Sequence, residues 1–152
     1  MDNVHQDHFK PEHCPILKAV GQIGDRWILL ILRELFQGRK KFEELHDRLN
    51  VSKSVLTNKL SLMLNRDLIE KVPYKKPGER TRNAYKLTQK GKDLRNVLIG
   101  LLEWGNQYLI DDQEVTLYVI NESSKKRIGT TLADEDGNAV NLHDIRMVVD
   151  EV

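Results

Sequence analysis

Hydrophobic residues recur at helical spacing in five stretches of the chain. Those stretches are residues 15–23, 27–36, 42–49, 52–67 and 88–109. The second one reads WILLILRELF and is apolar on nearly every side of its first two turns. Because such a helix must be covered on more than one face, the pattern predicts that it is the central helix of the domain.

Two further stretches, 68–72 and 83–87, are predicted as strands and flank the sequence KKPGERTR. Pro77-Gly78 is a turn signal, so the pattern indicates a hairpin with a basic tip. A short extended segment is expected at 40–42.

The C-terminal residues 111–152 contain three stretches rich in branched side chains. We predict strands at 115–120, 127–133 and 145–149, with a tight turn at 135–138. Two roles remain open for this acidic β extension: a ligand or partner module, or a structural cap over the preceding helix.

Helices at 42–49 and 52–67, joined by a turn at Asn50-Val51, have the pattern of a helix-turn-helix. Ser52 is expected to cap the second helix. The residues that face the core are Val55, Leu56, Leu60 and Met63. The outward side chains are short, polar and partly cationic, as a helix requires in a DNA major groove. Those predicted to enter the groove are Ser52, Lys53, Ser54, Thr57, Asn58 and Lys59. An ordinary amphipathic surface helix is the alternative.

Charge is distributed unevenly along the chain. Residues 1–110 hold 20 Lys and Arg against 13 Asp and Glu, a net charge of +7, whereas 111–152 hold 4 against 10, a net charge of −6. The basic excess is centred on 53–95, so it coincides with the predicted helix and hairpin and favours DNA as a partner. The hairpin cations predicted to bind flanking phosphates or the minor groove are Lys75, Lys76, Arg80 and Arg82. A charged loop that only keeps the protein soluble is the alternative.

The composition is typical of a globular protein, with 39% hydrophobic and 31% charged residues in a chain of 152. No apolar run reaches membrane-spanning length, and the N-terminal residues lack the pattern of a signal peptide. We therefore expect a cytoplasmic protein that does not contact membranes. No nucleophile–base pair or phosphate-binding loop indicates an enzyme.

Cys14 is the single cysteine, so no internal disulfide framework is expected. It precedes Pro15 at the N-terminus of a predicted helix, where unpaired amides and the neighbouring His13 favour a thiolate. Cys14 is therefore a candidate redox switch. The alternative is a small buried side chain that fills a gap in the core.

Two groups of residues have some character of metal sites. The histidines near the N-terminus are His5, His8 and His13. Their spacing matches no dense ligand pattern. Asp134, Asp136 and Asn138 alternate around a glycine as in a calcium loop, but no glutamate occupies the closing position. We predict neither a metal nor another cofactor.

The last predicted helix, 88–109, begins at a Thr88 cap and would be ~33 Å long. Its apolar residues are Leu94, Val97, Leu98, Leu101, Leu102, Trp104, Tyr108 and Leu109. Such a band is too broad for packing against one thin domain, so we expect a homodimer interface. A homodimer would place two reading helices on successive half-sites of double-stranded DNA.

A series of short motifs runs along residues 13–106. The motifs are Cys14-Pro15, Gly24-Asp25-Arg26-Trp27 with ILLILREL, Gly38, Lys41-Phe42-Glu43-Glu44-Leu45, Val51-Ser52-Lys53 with Val55-Leu56, Leu68-Ile69, Tyr85-Lys86-Leu87-Thr88 with Gly91, and Trp104-Gly105. In number, order and spacing they resemble the HxlR family. The resemblance implies a winged helix-turn-helix transcriptional regulator that dimerises through its terminal helices. Some members respond to electrophiles or oxidants through the Cys-Pro cysteine.

The chain departs from the family pattern at three positions. Asp67 stands where the family usually has glycine, and Leu62 and Leu64 stand where it usually has polar residues. The turn after the reading helix is therefore expected to differ, and the helix has a second apolar edge.

The predicted fold is α+β and mostly α, in three parts. A mobile N-terminal arm covers 1–13, a winged helix-turn-helix DNA-binding and dimerisation domain covers 14–110, and an acidic β-rich extension covers 111–152. We predict a sequence-specific, homodimeric transcriptional regulator that binds double-stranded DNA, with a small electrophile or oxidant as candidate signal. The alternative is a winged-helix protein-interaction module without specific DNA binding, which would differ in salt and sequence dependence.

Overall fold

Six α-helices and two antiparallel hairpins build the part of the chain that the structure, a computed structural model, describes: residues 11–111, 114 and 116–148. In chain order they are α1 (Pro15–Ile23), α2 (Arg26–Phe36), α3 (Phe42–Leu49), α4 (Lys53–Asn65), β1 (Ile69–Tyr74), β2 (Arg82–Leu87), α5 (Gln89–Asp93), α6 (Arg95–Tyr108), β3 (Val119–Ile120) and β4 (Arg127–Ile128). Short 3-10 turns lie at Pro11–His13 and Leu142–Asp144. The fold is α+β and mostly helical, as predicted.

Three helices begin at capping side chains, and two of these, Ser52 and Thr88, were predicted from the sequence. The Asp25 carboxylate accepts hydrogen bonds from two amides of α2, the nearer at 2.9 Å. The Ser52 hydroxyl accepts from an amide in the first turn of α4 at 3.3 Å, and the Thr88 hydroxyl accepts from one in α5 at 3.1 Å. Each cap satisfies amides that the first turn of a helix leaves unpaired.

The hydrophobic core is organised around α2. Its Ile28, Ile31 and Leu32 are almost completely buried and pack with residues of α3, α4 and the first hairpin. The other fully buried apolar residues are Leu45, Leu56, Leu60, Met63 and Leu68. The prediction of a central helix is confirmed. Trp27, the first residue of the apolar run, packs at the edge of the core and is only half-buried, with the Arg26 guanidinium 4.5 Å from its ring centroid.

The first hairpin is fixed beside the helix-turn-helix by hydrogen bonding. β1 and β2 are antiparallel and run from Ile69 opposite Leu87 to Tyr74 opposite Arg82. The segment just before α3, predicted as extended, joins the edge of β2 through a β-bridge at Lys41. The chain that enters α3 is therefore bonded directly to the hairpin.

The predicted single helix at 88–109 is wrong, because the helix is interrupted at Leu94. Gly91 in α5 is buried so close to the Leu68 carbonyl oxygen that a Cβ there would overlap it. This approach ties α5 to the hairpin, while Leu94 turns into the core. α6 alone is 14 residues long, or ~21 Å, and it carries most of the apolar band.

The extension contains less β structure than predicted. β3 and β4 are two residues each, and 145–148 form no strand. Branched residues favour strands, but a stable strand also needs a partner and a buried face. Most side chains from 116 to 148 are exposed, so that condition is not met.

The predicted tight turn at 135–138 is confirmed. The Asp134 carboxylate accepts hydrogen bonds from the amides of Asn138 at 2.8 Å and Asp136 at 3.1 Å, and Gly137 has a φ of 85°. These bonds, above all the one from the Asn138 amide, lower the pKa of Asp134. The Asp134 carboxylate, one of the groups that resembled calcium ligands in the sequence, therefore stabilises the turn by accepting hydrogen bonds.

Part of the predicted N-terminal arm lies outside the described residues. His5 and His8 fall there, as do the strand residues Val115 and Val149, whereas His13 ends a 3-10 turn. Among the described helices, none is both long and apolar enough to cross a lipid bilayer.

Candidate nucleic-acid interface

α3 and α4 form a helix-turn-helix through the turn at 50–52. Asn50 ends α3 in the left-handed region, with a φ of 48°, which asparagine adopts more readily than most residues. Val51 is buried and anchors the turn on the core, and Ser52 then caps α4. The turn therefore holds α4 at a set position against α3.

The solvent-facing side of α4 is polar and contains no carboxylate. Its exposed side chains are Lys53, Ser54, Thr57, Asn58, Ser61 and Asn65. The hydroxyl oxygens of Ser52 and Ser54 lie 3.2 Å apart. Hydroxyls, amides and a cation on one helix face can meet base edges and phosphates, and no acidic group repels the DNA backbone. The second apolar edge, Leu62 and Leu64, is partly buried against the chain's own core.

Lys59 is the exception among the residues predicted to enter the groove. Its Nζ lies 2.5 Å from Oδ2 of Asp25, the carboxylate that caps α2. This hydrogen bond is the main cause of the lowered pKa of Asp25. Within the domain the cation ties α4 to α2, and the side chain of Lys59 is less exposed than those of Thr57 and Asn58.

Three of the six cations of the hairpin lie in the loop between β1 and β2. The exposed cations of that loop are Lys75, Lys76 and Arg80. Gly78 adopts a φ of 78°, which makes the turn possible. Arg82 is the first residue of β2, and its guanidinium lies 3.7 Å from the Glu79 carboxylate. An exposed pair of this kind contributes little free energy, so Arg82 remains available to a phosphate.

The exit from α4 into the hairpin is held by α5 and its cap. Asp67 has a φ of 56°, so it adopts the left-handed conformation that glycine adopts at lower cost. The Thr88 hydroxyl donates to the Asp67 carbonyl at 2.6 Å, and Lys90 Nζ donates to the Arg66 carbonyl at 2.8 Å. These bonds fix the hairpin relative to α4.

Sequence reasoning missed a cluster of partly exposed arginines around one buried carboxylate beneath the helix-turn-helix. Glu34 of α2 is 1% exposed, and its carboxylate lies 2.6 Å from Arg33, 2.8 Å from Arg39 and 3.8 Å from Arg48. The cluster joins α2, the loop before α3 and the last turn of α3. The feature of the sequence that could have predicted this cluster is Glu34, a single carboxylate in a helix that is apolar on nearly every side of its first two turns.

Cys14 lies where the sequence placed it, at the N-cap of α1 with Pro15 in the first turn. Its side chain is half-buried, so it is neither fully enclosed nor freely exposed. The rest of α1 leaves Ile16, Leu17 and Val20 more than half exposed. The cysteine thus stands at one end of an uncovered apolar helix face.

The apolar band of α6 is also uncovered. Val97 and Leu101 are about half exposed, Trp104 is 56% exposed, and Tyr108 is 63% exposed. On the opposite side of the band, Leu98 packs against the core. The helix therefore presents one apolar side to its own domain and another to solvent.

The chain matches the model of the HxlR-like helix-turn-helix family over residues 22–113. The HTH-type transcriptional regulator MT3179 of Mycobacterium tuberculosis is 37% identical over 92 residues, which are 60% of this chain and 57% of that protein. The aligned region thus spans little more than half the length of this relative.

Two solved structures resemble the chain. PA1607, described as a candidate transcription factor, has a TM-score of 0.81 and 26% sequence identity, and the match covers 93% of this chain and 98% of PA1607. YodB of Bacillus subtilis, solved after diamide treatment, has a TM-score of 0.51 and 26% identity over 64% of this chain and 97% of YodB. The match to PA1607 covers more of the chain than the family model does.

Proposed function

Because the chain belongs to the HxlR family of helix-turn-helix transcriptional regulators, we propose that it acts in the cytoplasm as a homodimer that binds specific sites in double-stranded DNA. The observation that carries this proposal is the carboxylate-free polar face of α4 beside a hairpin with a basic tip. The relatives named above are transcriptional regulators, and we propose a non-enzymatic role for this chain as well.

Some exposed residues of α4 would contact the DNA bases, and others would contact the DNA phosphates. Asn58 and Thr57 lie about one turn into the helix, where an amide and a hydroxyl can reach base edges in the major groove. The residues nearer the cap, Ser52, Lys53 and Ser54, are placed to contact phosphates, with the help of the positive end of the helix dipole.

The hairpin extends the contact beyond the major groove. Its cations, Lys75, Lys76, Arg80 and Arg82, would bind the flanking phosphates or enter the minor groove, where the negative potential favours arginine. None of these contacts reads sequence strongly by itself, so they mainly raise affinity and set the position of α4.

The uncovered apolar sides of α1 and α6 support a homodimer. A two-fold dimer covers the same surface on both copies, and it would place two α4 helices about 34–36 Å apart, one turn of the DNA duplex. Two half-sites together give the affinity and specificity that a single small basic surface lacks.

The direct test selects bound fragments from the genomic DNA of the source organism and then measures affinity by fluorescence anisotropy at several salt concentrations. We expect an inverted-repeat site that binds at least ~10³-fold more tightly than random DNA. Equal affinity for all sequences, or no binding, would instead favour a protein-interaction module.

Asn58→Ala tests the reading face of α4. If Asn58 makes a bidentate contact with a base, the variant should lose about 1–3 kcal/mol on the specific site and much less on random DNA. Asn65→Ala is the matched control, because it removes the same exposed side chain from the other end of the same helix. Equal losses on specific and random DNA would make Asn58 a backbone contact.

We also propose that Cys14 makes DNA binding sensitive to oxidants. Support comes from its half-exposed position at the first turn of α1 and from the similarity to YodB, which has been solved after diamide treatment. With one cysteine per chain, two Cys14 thiols of a dimer would join in a disulfide as diamide accepts two electrons and two protons. A mixed disulfide with a small thiol is the other product open to a single cysteine.

Cys14→Ser should abolish any release from DNA that diamide causes, while leaving binding of the reduced protein unchanged. The measurement is anisotropy with and without diamide, followed by dithiothreitol, which should restore binding of the wild type. Release that persists in the Cys14→Ser variant would remove this residue from the mechanism.

A further inference from the structure

Exposed apolar side chains are concentrated at the two ends of the described chain. Eighteen large hydrophobic residues of the described chain are exposed, and Val72 is the only one of them between residues 24 and 96. Those on α1 and α6 are explained by the proposed homodimer. Eight others lie in the extension: Leu117, Tyr118, Ile128, Leu132, Leu142, Ile145, Met147 and Val148. The winged-helix domain does not account for these eight.

The extension is attached to α6 by polar side chains. Glu103 accepts a hydrogen bond from the Thr130 amide at 3.0 Å and another from the Thr130 hydroxyl, and Gly129 passes so close to the Glu103 carboxylate that a Cβ would overlap it. The Asn106 side-chain amide donates to the Leu117 carbonyl at 2.7 Å. The extension therefore lies beside the last two turns of α6.

Those same two turns carry the most exposed aromatic residues of the helix. Trp104 and Tyr108 alternate along α6 with Glu103 and Asn106, the two residues that hold the extension. The exposed aromatic residues and the attachment of the extension thus occupy the same two turns but different sides of α6, because neighbouring residues in a helix point about 100° apart.

The extension does not bury a core of its own. No residue from 116 to 148 is fully buried, and its strands have two residues each. A hairpin of that size is not stable alone in water, so its conformation depends on what it packs against. Glu103 and Asn106 of α6 form hydrogen bonds with the extension, but the apolar side chains of the extension are not buried by any part of the described chain.

The net charge of the extension limits which partner can bury its apolar side chains. Residues 111–152 have a net charge of −6, which repels DNA phosphates and anionic lipid headgroups, whereas residues 1–110 have a net charge of +7. A second copy of the chain offers both an uncovered apolar surface and a basic domain. An interface between proteins uses about 20–30 residues a side, and the fifteen exposed large hydrophobic residues of α1, α6 and the extension would supply half or more of them.

We propose that the extension is part of the homodimer interface and packs against a second copy of this chain beside α6. The similarity to PA1607 over 93% of the chain fits an extension that belongs to the fold. This inference rests on the proposed homodimer and adds a specific segment to it.

The test is sedimentation equilibrium on the full-length chain and three variants. Leu142→Glu/Met147→Glu places two carboxylates on the most exposed apolar part of the extension, where the side chains are 67% and 90% exposed. Ser123→Glu/Thr131→Glu is the matched control, since it adds the same charge at exposed polar positions of the same segment. Trp104→Glu disrupts the α6 part of the interface.

We expect the first variant to weaken dimerisation at least ~10-fold, because each dimer would desolvate four new carboxylates. The control should dimerise like the wild type, and Trp104→Glu should be monomeric. A wild-type dimer that is insensitive to Leu142→Glu/Met147→Glu would overturn this inference and leave the homodimer intact. A monomeric wild type would overturn the homodimer itself.

Hydrogen exchange on the unaltered chain provides a second measurement that does not depend on variants folding. Amides from 117 to 148 should exchange more slowly above the dimer dissociation constant than below it, together with those of α6. Slowing confined to α1 and α6 would place the extension outside the interface.

Discussion

Replacing Glu34 with alanine is expected to destabilise the domain by about 1.5–3 kcal/mol, the range for losing hydrogen bonds to a charged group. The carboxylate is 1% exposed and faces three arginines, with Arg33 and Arg39 at 2.6 and 2.8 Å. Without it, Arg33 and Arg39, whose side chains are 39% and 29% exposed, lose their carboxylate acceptor and can bind only water. Urea unfolding at fixed protein concentration measures the change in the free energy of unfolding.

The matched control is Glu70→Gln, which neutralises an exposed glutamate. Glu70 lies 3.4 Å from Lys86 across the hairpin, and both side chains are more than half exposed. An exposed pair contributes at most about 1 kcal/mol. If Glu34→Ala cost no more than this control, the buried cluster would have no special role in holding α2 against α3.

Removing the four hairpin cations is expected to have the largest effect on DNA binding. Changing Lys75, Lys76, Arg80 and Arg82 to alanine should flatten the slope of log K against log salt by about 0.9 per lost phosphate contact, or roughly 3.6 for all four. Affinity should fall for specific and random DNA alike, because phosphate contacts carry no sequence information. Anisotropy titrations at several salt concentrations measure both quantities.

A control must separate local contacts from total charge. Lys75→Ala/Lys76→Ala and Lys125→Ala/Lys126→Ala remove the same charge, one pair from the hairpin and the other from the extension. Only the hairpin pair should change the salt slope, by about 1.8. An equal change from both pairs would mean that net charge, not the hairpin, sets the affinity.

Much of the helix-turn-helix could be predicted because its determinants are local. Asp25, Ser52 and Thr88 cap their helices by accepting hydrogen bonds from amides two or three residues away. The apolar run of α2 required burial on more than one face, whichever elements covered it. The order of these features was enough to indicate the family that the comparisons then showed.

The errors concern contacts between residues distant in sequence. Lys59 was predicted as a groove cation, and the sequence did not show that Asp25, 34 residues earlier, binds its ammonium group. The break at Leu94 lies three residues after the close contact of Gly91 with the Leu68 carbonyl, which no helical pattern reveals. In the extension, branched residues predicted long strands. Within residues 116–148, however, only the two-residue strands β3 and β4 pair with each other, and most side chains are exposed.

The sequence by itself determined the helix starts, the turn before α4, the basic hairpin tip and the family, because each depends on side chains within a few residues of one another. Only the tertiary structure decided which charges are paired within the domain and which are exposed to solvent. It assigned Lys59 to Asp25, enclosed Glu34 among arginines and left the outer face of α4 exposed. The physical reason is that an ion pair depends on distance in space, which is set once α2 has packed against its neighbours.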